Sequence, residues 1–276
     1  MAKVTLIYAY WPAQPFGMTW CDVPWALRDA GLAKRLHAAG HDVIESILMS
    51  NRDHPEELIS GFALAGEIAG EVRRARQEGE FPVIVCGSCT LAAVGAVAGI
   101  GFGDRLGIVW ADAHPDLNTP ETTVTGLLDG MALSVATGRS WRALAAAEAG
   151  LAAPANLARC ALYGARSIDP PERDLIDSEG VPIIADAGAV ALRLQGTELT
   201  YFHLDCDVHD ADVLHANAVA VRGGPRVEDV RRMIRETPRL ACLSVASLDP
   251  AVANMATAAD IVIGHVLAAA ESHHRS

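Results

Sequence analysis

One stretch identifies both a sheet strand and its functional edge: Leu106-Gly-Ile-Val-Trp-Ala-Asp112-Ala-His114-Pro-Asp116. Its first half is a short apolar run, typical of a buried strand, and its second half places an acidic or imidazole side chain at every other position. Because alternate side chains of an extended chain share a face, Asp112, His114 and Asp116 can converge just beyond the strand end. Two carboxylates and an imidazole are typical ligands of a divalent metal ion, although a solvated polar loop can show the same pattern.

A second group has the same spacing: His203-Leu-Asp205-Cys-Asp207 follows the apolar run Leu199-Thr-Tyr-Phe. Taken alone, Asp-x-Asp after a strand is often a turn or a helix cap. Two such groups at two strand ends favour a binuclear site, because a single metal ion rarely needs four carboxylates.

Apolar strand-like runs alternate with segments of helical periodicity along the whole chain. The predicted strands are Val4–Ala9, Asp42–Leu48, Pro82–Cys86, Gly107–Ala111, Arg159–Tyr163, Val181–Ile184, Thr200–Asp205 and Leu240–Val245. The predicted helices are Pro24–Ala39, Glu56–Gln77, Leu91–Ala98, Asp129–Thr137, Glu172–Ser178, Val227–Glu236 and Thr257–Glu271. This alternation predicts an α/β fold with three αβα layers around a mostly parallel central sheet of about eight strands. No linker or repeat interrupts residues 1–276, which are expected to form a single domain.

The composition narrows the class of protein. The 276 residues are 51% hydrophobic and carry a net charge of −12, which argues against nucleic acids and anionic membranes as partners. The sequence has no uncharged apolar run of about 18 residues, and its N-terminus resembles a first strand rather than a signal peptide. Its six scattered cysteines do not form a secreted disulfide framework. A cytoplasmic protein is therefore expected.

Several segments together resemble the ureohydrolases, the family of arginase and agmatinase. The closest likeness to arginase lies in Asp112-Ala-His-Pro-Asp-Leu-Asn-Thr-Pro-Glu-Thr-Thr-Val-Thr-Gly126. The family's Asp-x-Asp-x-x-Asp block is matched by Asp205-Cys-Asp-Val-His-Asp210, and its paired glycine by Gly223-Gly224. The resemblance runs from Pro24 to the closing helix and implies an arginase-like fold.

The resemblance implies two manganese ions (Mn2+) per chain. By position, Asp112 and Asp205 would bridge the two ions. Asp116 would complete the shell of one ion, and His114 and Asp207 that of the other. A water between the ions, deprotonated by them, would attack the guanidino carbon of a small-molecule substrate. The carboxylate of Asp116 would also pass a proton to the leaving amine, which makes it both a ligand and a catalytic residue.

The resemblance also implies a binding site for an α-amino acid head group. Arginase contacts the amino-acid end of its substrate through positions that match Asn118, Thr123 and Thr125, and the α-amino group through positions that match Asp169 and Glu172. Simpler interpretations exist, with the threonines as loop hydroxyls and Asp169 as a helix N-cap. The presence of all five favours a substrate that carries the head group of arginine, which agmatine lacks.

One metal-ligand position departs from the family pattern. The family's Gly-Gly-Asp-His becomes Cys86-Gly-Ser-Cys89, so a thiol replaces a histidine ligand. Cys89 is the expected ligand and Cys86 a packed thiol near the site, with a redox pair of the two as the alternative. The softer sulfur could admit iron, cobalt or zinc, while manganese remains the metal implied by the resemblance.

Two further departures lie near the reacting carbon. Asp129 replaces the histidine credited with proton shuttling, and Ser247 replaces the glutamate that pairs with the substrate guanidinium; Val219 also replaces a threonine. Leaving arginine's permanent cation in a closed site without a carboxylate costs several kcal/mol. Nω-hydroxy-L-arginine, whose guanidino group is far less basic, fits this pattern. It would yield L-ornithine and hydroxyurea, as in the branch of the family that serves D-cycloserine biosynthesis. Asp129 would be a weak proton carrier or a surface carboxylate at a helix start.

Three alternatives stay open. The chain could be an ordinary arginase whose proton shuttle is His209 or His215, a non-catalytic binding protein on the same scaffold, or an enzyme with a Cys86/Cys89 redox switch. The retained aspartates favour an enzyme. The chain ends at Ser276, just after the closing helix, so the tail that helps arginases form trimers is not expected, and a monomer is.

Overall fold

The computed structural model describes residues 1–12, 19–50 and 57–273. The strands in this part of the chain are β1 Lys3–Tyr10, β2 Asp42–Met49, β3 Phe81–Cys86, β4 Leu106–Ala111, β5 Cys160–Tyr163, β6 Ile183–Ile184, β7 Leu199–Asp205 and β8 Leu240–Ala246. They form one sheet in the order β2-β1-β3-β8-β7-β4-β5-β6, and every pairing is parallel.

Helices cover both faces of the sheet. On one face a hydrophobic core packs beneath α3 Glu57–Gln77, α4 Cys89–Ile100, α5 Ala132–Ala136, α6 Arg142–Ala149 and α7 Pro170–Glu179. On the other face a second core packs beneath α1 Val23–Asp29, α2 Leu32–Ala38, α8 Ala187–Arg193, α9 Val227–Glu236 and α10 Met255–His273. The predicted three-layer αβα architecture is confirmed.

Burial explains why the strands were readable as apolar runs. All residues of β3, β4 and β8 are buried, because a parallel sheet covered by helices on both faces offers no solvent side to its inner strands. The edge strand β2 instead alternates between exposed and partly buried residues. Helix α10 is long and apolar enough to span a membrane, but 61% of its most apolar window is buried inside the protein, as in a core helix.

The structure refines the predicted elements at several points. The predicted helix Pro24–Ala39 is two helices, α1 and α2, separated at Gly31, whose φ of 84° lies in the left-handed region. The predicted strand Val181–Ile184 is shortened to β6, and the segment from Asp129 starts with one turn of 3-10 helix before α5. Helices α6 and α8 were not predicted. Glu56, the predicted start of α3, lies outside the described residues.

Candidate metal centre and substrate cavity

Four neighbouring strands bring the predicted functional residues to one edge of the sheet. The strands β3, β8, β7 and β4 are adjacent in that order, and their carboxyl ends lead into Cys89, Ser247, Asp205 and Asp112, respectively. A cavity of about 280 Å³ opens at this edge. Its wall contains every predicted site residue except Asp112, namely Cys89, His114, Asp116, Asn118, Thr123, Thr125, Asp129, Asp169, Glu172, Asp205, Asp207 and Ser247, together with Val219.

The first group of potential metal ligands combines Asp112, His114 and Asp207. The His114 Nδ1 atom lies 3.4 Å from Asp112 Oδ1 and 3.3 Å from Asp207 Oδ2. Trp110 Nε1 donates to Asp112 Oδ2 at 3.1 Å, and the backbone N–H of Ala113 donates to Asp207 Oδ1 at 3.2 Å, so both carboxylates are fixed in place. Ligand atoms of the three residues lie within 4.8 Å of one another, and one ion could contact all three.

The second group combines Cys89, His203 and Asp205, whose ligand atoms also lie within 4.8 Å of one another. The Cys89 Sγ atom is 3.2 Å from Asp205 Oδ2. Cys89 is the first residue of α4, directly after the N-cap Ser88, so the start of the helix fixes the position of the thiol. His203 was not among the predicted ligands. The signal that could have found it is the two-residue spacing to Asp205, which puts both side chains on one face of β7.

Asp116 reaches the cavity from a strained backbone. Its φ is 52°, in the left-handed region that residues other than glycine rarely adopt. The backbone N–H of Ser134 donates to the Asp116 carbonyl at 3.1 Å and holds this conformation. The side chain is 5% exposed and lies in the cavity wall. Asp116 thus adds a fourth carboxylate to those of Asp112, Asp205 and Asp207.

The four carboxylates share a small buried volume. Burial, with the charge of Asp207, raises the pKa of Asp112 to about 6. Burial and neighbouring carboxylates also raise the pKa of Asp116 and of Asp205 well above the usual range. Although burial opposes it, the hydrogen bond from His114 holds the pKa of Asp207 below its usual value. Carboxylates crowded in this way need positive charge nearby, and two divalent cations fit both the charge and the nitrogen, oxygen and sulfur donors present.

The two cysteines of the Cys86-Gly-Ser-Cys89 segment have different surroundings. Cys86 ends β3 and is fully buried in the core, where burial raises the pKa of its thiol to about 12. Burial and the charge of Asp205 raise the pKa of Cys89, whose sulfur lines the cavity. Cys86 and Cys89 are both free thiols, with no disulfide between them. The geometry places Cys89 with the potential ligands and Cys86 behind them as a packed thiol.

The carboxylate of Asp129 forms hydrogen bonds with the start of α4. Its Oδ1 atom accepts hydrogen bonds from Ser88 Oγ and from the backbone N–H of Thr90, the latter at 3.1 Å. Burial raises the pKa of Asp129. Asp129 begins the 3-10 turn Asp129–Met131, as expected for a carboxylate at a helix start, and it also hydrogen-bonds to the neighbouring helix that carries Cys89. It also lines the cavity, at the family's histidine position.

The predicted residues for the amino-acid head group are linked to one another. Asn118 Nδ2 donates to Asp169 Oδ2 at 3.0 Å. Glu172 is 4% exposed, and its two oxygens accept the backbone N–H groups of Leu117 at 2.8 Å and of Asp169 at 3.0 Å. Asp169 and Glu172 form a capping box at the start of α7. The N-cap interpretation of Asp169 thus holds alongside its position in the cavity wall.

The two predicted threonines shape a turn at the mouth of the cavity. The Thr123 hydroxyl accepts the N–H of Gly126 at 3.0 Å, and the Thr125 hydroxyl accepts that of Leu127 at 3.2 Å. Both hydroxyls therefore make hydrogen bonds within the turn, as ordinary loop hydroxyls do, and both residues also line the cavity.

Ser247 lies in the cavity wall with a left-handed backbone, at a φ of 61°. Asn217 Nδ2 donates to its carbonyl at 2.8 Å and to its Oγ at 3.1 Å. The acidic residue of the same segment, Asp249, is outside the cavity wall and accepts the N–H groups of Thr19 at 3.3 Å and of Ala251 at 3.0 Å. This segment therefore brings a neutral hydroxyl to the cavity and no carboxylate.

The two histidines considered as substitute proton shuttles lie elsewhere. His209 is buried against His265, with 2.9 Å between their Nε2 atoms, and burial lowers its pKa to about 4. His215 is exposed. Neither residue belongs to the cavity wall, so the arrangement places neither of them to move a proton there.

Arg166 organises the loops around Asp207, and its sequence context gave no sign of this. The five N–H groups of its guanidinium lie within hydrogen-bond distance, 2.7–3.1 Å, of six backbone carbonyls, those of Gly164, Asp207, Val208, His209, Val221 and Arg222. A single arginine in a loop has no periodic pattern, and carbonyl acceptors far apart in sequence cannot be read from residue types.

Comparisons with known proteins agree with this geometry. The family model described as "Arginase family" matches residues 23–270. Arginase of Bacillus subtilis (strain 168) is 33% identical over 168 residues, which cover 58% of this chain and 56% of that protein. The matches span about half the length of the first curated relatives. The structure of arginase from Bacillus subtilis subsp. subtilis str. 168 has a TM-score of 0.86 at 24% identity, and that of Entamoeba histolytica arginase in complex with L-ornithine has 0.86 at 19%, each covering 98% of both chains.

The likeness in structure extends over nearly the whole chain, and the matched family segment contains all the potential metal ligands. The resemblance expected from the two acidic groups is thus confirmed at the level of the family. This chain belongs to the arginase family.

Proposed function

We propose that this chain is a binuclear-metal hydrolase that cleaves the guanidino C–N bond of Nω-hydroxy-L-arginine and releases L-ornithine and hydroxyurea. Membership of the arginase family supports the general reaction, hydrolysis of a guanidino C–N bond. The observation that carries the specific substrate is Ser247, a neutral residue in the cavity wall where the family resemblance leads us to expect a glutamate.

The argument from Ser247 is electrostatic. The guanidinium of arginine stays charged at all physiological pH values, and burying it without a carboxylate partner costs several kcal/mol. Asp249 is the nearest acidic residue in sequence, but its oxygens accept hydrogen bonds from Thr19 and Ala251 away from the cavity. A hydroxylated guanidino group is far less basic and does not need that partner. The neutral hydroxyl of Ser247, which lines the cavity, suits such a group.

The rest of the cavity supports an α-amino acid head group. Asn118, Asp169 and Glu172 form a connected polar wall, and Thr123 and Thr125 lie at its mouth. A polar wall of this kind can bind a carboxylate and an ammonium group at the same time, so the substrate keeps the head group of arginine while its distal group differs.

The proposed cofactors are two Mn2+ ions, held by Cys89, Asp112, His114, Asp116, Asp205 and Asp207. When bound, the two cations supply an activated water and polarise the guanidino group. We assign to Asp116 the proton transfer to the leaving amine, because it lies in the cavity wall beside the proposed ligands. Asp129 is the second candidate proton carrier, at the start of the helix that holds Cys89.

The experiment that tests this proposal is a paired turnover assay on the manganese-loaded protein. L-arginine and Nω-hydroxy-L-arginine are supplied at equal concentration, and ornithine, urea and hydroxyurea are measured. We expect ornithine and hydroxyurea from the hydroxylated substrate and little urea from arginine. Comparable turnover of arginine would contradict the argument from Ser247 and identify an ordinary arginase. No turnover of either compound by the metal-loaded protein would favour a non-catalytic binding protein.

Two variants sharpen the assay. Ser247→Glu adds a carboxylate at the position in question, and a hydrogen bond to a charged partner is worth about 1.5–3 kcal/mol, so KM for arginine should fall roughly tenfold or more. Ser247→Gln has the same size without the charge and is the matched control. If both variants changed KM for arginine equally, charge at this position would not govern the choice of substrate.

We further propose that the protein acts in the cytoplasm as a monomeric, single-domain enzyme. If its product is hydroxyurea, a role in D-cycloserine biosynthesis follows. The net charge of −12 supports a small-molecule substrate over nucleic acid or an anionic membrane.

A further inference from the structure

His203 lies two residues before Asp205 on β7, with its side chain on the same face of the sheet, and it is fully buried. Its ring stacks on the indole of Trp110 with 3.8 Å between ring centres and 17° between planes. The same indole donates a hydrogen bond to Asp112 Oδ2. One aromatic side chain therefore positions both His203 and Asp112, a proposed metal ligand.

The two ring nitrogens of His203 have different surroundings. Nδ1 lies 2.8 Å from Ser244 Oγ and 3.1 Å from Tyr201 Oη, which fix the orientation of the ring. Nε2 is buried and has no hydrogen-bond partner among the described residues. A buried nitrogen without a partner costs about 1–3 kcal/mol, so a binding partner at Nε2 is expected.

The position of His203 points to that partner. His203 belongs to a group with Cys89 and Asp205 in which one ligand atom of each residue lies within 4.8 Å of the others. Ligand atoms that are this close need only small side-chain shifts to reach bond lengths of about 2.0–2.3 Å to one cation. When Nδ1 donates its proton to Ser244, the lone pair of Nε2 is free to bind a metal, which is the usual arrangement of metal-binding histidines.

We propose that Nε2 of His203 is an additional ligand of the metal ion held by Cys89 and Asp205. This inference rests on the binuclear-metal function proposed above. The family resemblance supplied Cys89 and Asp205 as ligands, whereas His203 is assigned from the structure.

The added ligand would make the two metal sites chemically unequal. A thiolate and an imidazole on one ion form a softer donor set than the carboxylate-rich set around His114, and softer donors favour cobalt or zinc over manganese. A neutral imidazole also adds a donor without adding to the negative charge of four aspartates and a thiolate. We therefore expect the ion beside Cys89 to exchange for cobalt more readily than the ion beside His114.

The first test is a crystal structure of the full chain loaded with manganese or cobalt. We expect His203 Nε2 at a bonding distance of about 2.1 Å from the ion that contacts Cys89 Sγ. An Nε2 atom more than 3 Å from that ion, or one that donates its proton to the Cys89 sulfur, would overturn the inference. This test needs no variant, so it does not depend on the folding of an altered protein.

The second test is a cobalt titration followed by the sulfur-to-cobalt absorption band, which reports the ion beside Cys89. His203→Phe keeps a flat ring against Trp110 but removes both ring nitrogens, and we expect at least tenfold weaker binding because the ion loses a direct ligand. The matched control Tyr201→Phe removes the more distant partner of Nδ1 and keeps Ser244 Oγ at 2.8 Å, so it should bind cobalt more tightly than His203→Phe does. Equal affinities in both variants would contradict the assignment.

Neither test measures turnover, so the two proposals can fail separately. Two bound ions with Nε2 elsewhere would overturn the assignment of His203 and leave the proposed function intact. If Nε2 contacts the ion but the protein does not hydrolyse Nω-hydroxy-L-arginine, the assignment of His203 stands and the proposed function fails.

Discussion

Replacing Arg166 should both weaken the fold and loosen the metal centre. Its guanidinium is the common donor for six backbone carbonyls, one of which is the carbonyl of Asp207. Three of these carbonyls, those of His209, Val221 and Arg222, lie in the segment between Val208 and Val227, which has no helix or strand. Arg166→Ala removes all the donors at once, and Arg166→Lys leaves one ammonium that cannot reach carbonyls on every side.

The size of the effect follows from the contacts. Arg166 is partly exposed, so water can replace some of the lost donors, and each bond is taken at the lower end of the net range, about 0.5 kcal/mol. Five N–H donors at this value predict a loss of about 2.5 kcal/mol in the free energy of unfolding for Arg166→Ala. Arg166→Lys should lose somewhat less, because it keeps the charge and part of the aliphatic packing.

The measurement is urea denaturation in the presence and absence of manganese, combined with metal analysis. Arg222→Ala is the matched control, because its side chain is 80% exposed and its ion pair with Asp212 should contribute less than about 1 kcal/mol. We expect Arg166→Ala, but not Arg222→Ala, to lose metal affinity as well, since Asp207 would no longer be held in place. Equal, small losses in the two variants would refute the view that Arg166 organises this centre.

Three other predictions follow from the site. Gly87→Ala would place a Cβ atom 2.4 Å from the Trp20 carbonyl oxygen, so the variant should have a lower melting temperature or yield insoluble protein, and an unchanged melting temperature would contradict this close packing. Asp129→Asn keeps an oxygen that accepts hydrogen bonds from Ser88 and Thr90, so its free energy of unfolding should stay within about 0.5 kcal/mol of that of the unaltered protein. Asp129→Ala should lose about 1 kcal/mol of that free energy, as variants that lack a helix cap do. A large loss of turnover in Asp129→Asn, with stability unchanged, would support the role of Asp129 as a proton carrier. Removing the metals with a chelator should lower the melting temperature measured by calorimetry, because four buried carboxylates lose their counter-charge, and restoring manganese should reverse the effect.

The sequence predicted the sheet well because its strands are buried on both faces. Runs such as Leu106–Trp110 are apolar without interruption, and each ends at a polar residue that marks the functional edge. The helices were harder to predict where they are short. Helices α6 and α8 have seven or eight residues and are rich in alanine, so their periodicity is weak, and the break at Gly31 was hidden inside a continuous helical pattern.

The sequence could predict which residues form the candidate site, but not the contacts among them. Spacing and resemblance together named the side chains that line the cavity. They did not reveal that Asp129 caps a helix starting 40 residues earlier, because such a contact depends on the packing of α4 against the segment before α5. The free nitrogen of His203 likewise became visible only when Ser244, on the neighbouring strand, was seen to occupy the other one.

The left-handed backbones of Asp116 and Ser247 have a consequence for attempts to engineer this protein. Glycine at either position would relieve roughly 1–2 kcal/mol of backbone strain, more than the roughly 0.5–1 kcal/mol of chain entropy that glycine costs. A screen that ranks variants of the metal-free protein by heat resistance alone would therefore select Asp116→Gly and Ser247→Gly, and it would discard a proposed metal ligand and a proposed substrate contact. Libraries for thermostabilised forms should hold these two positions fixed and seek stability at the helical faces remote from the cavity.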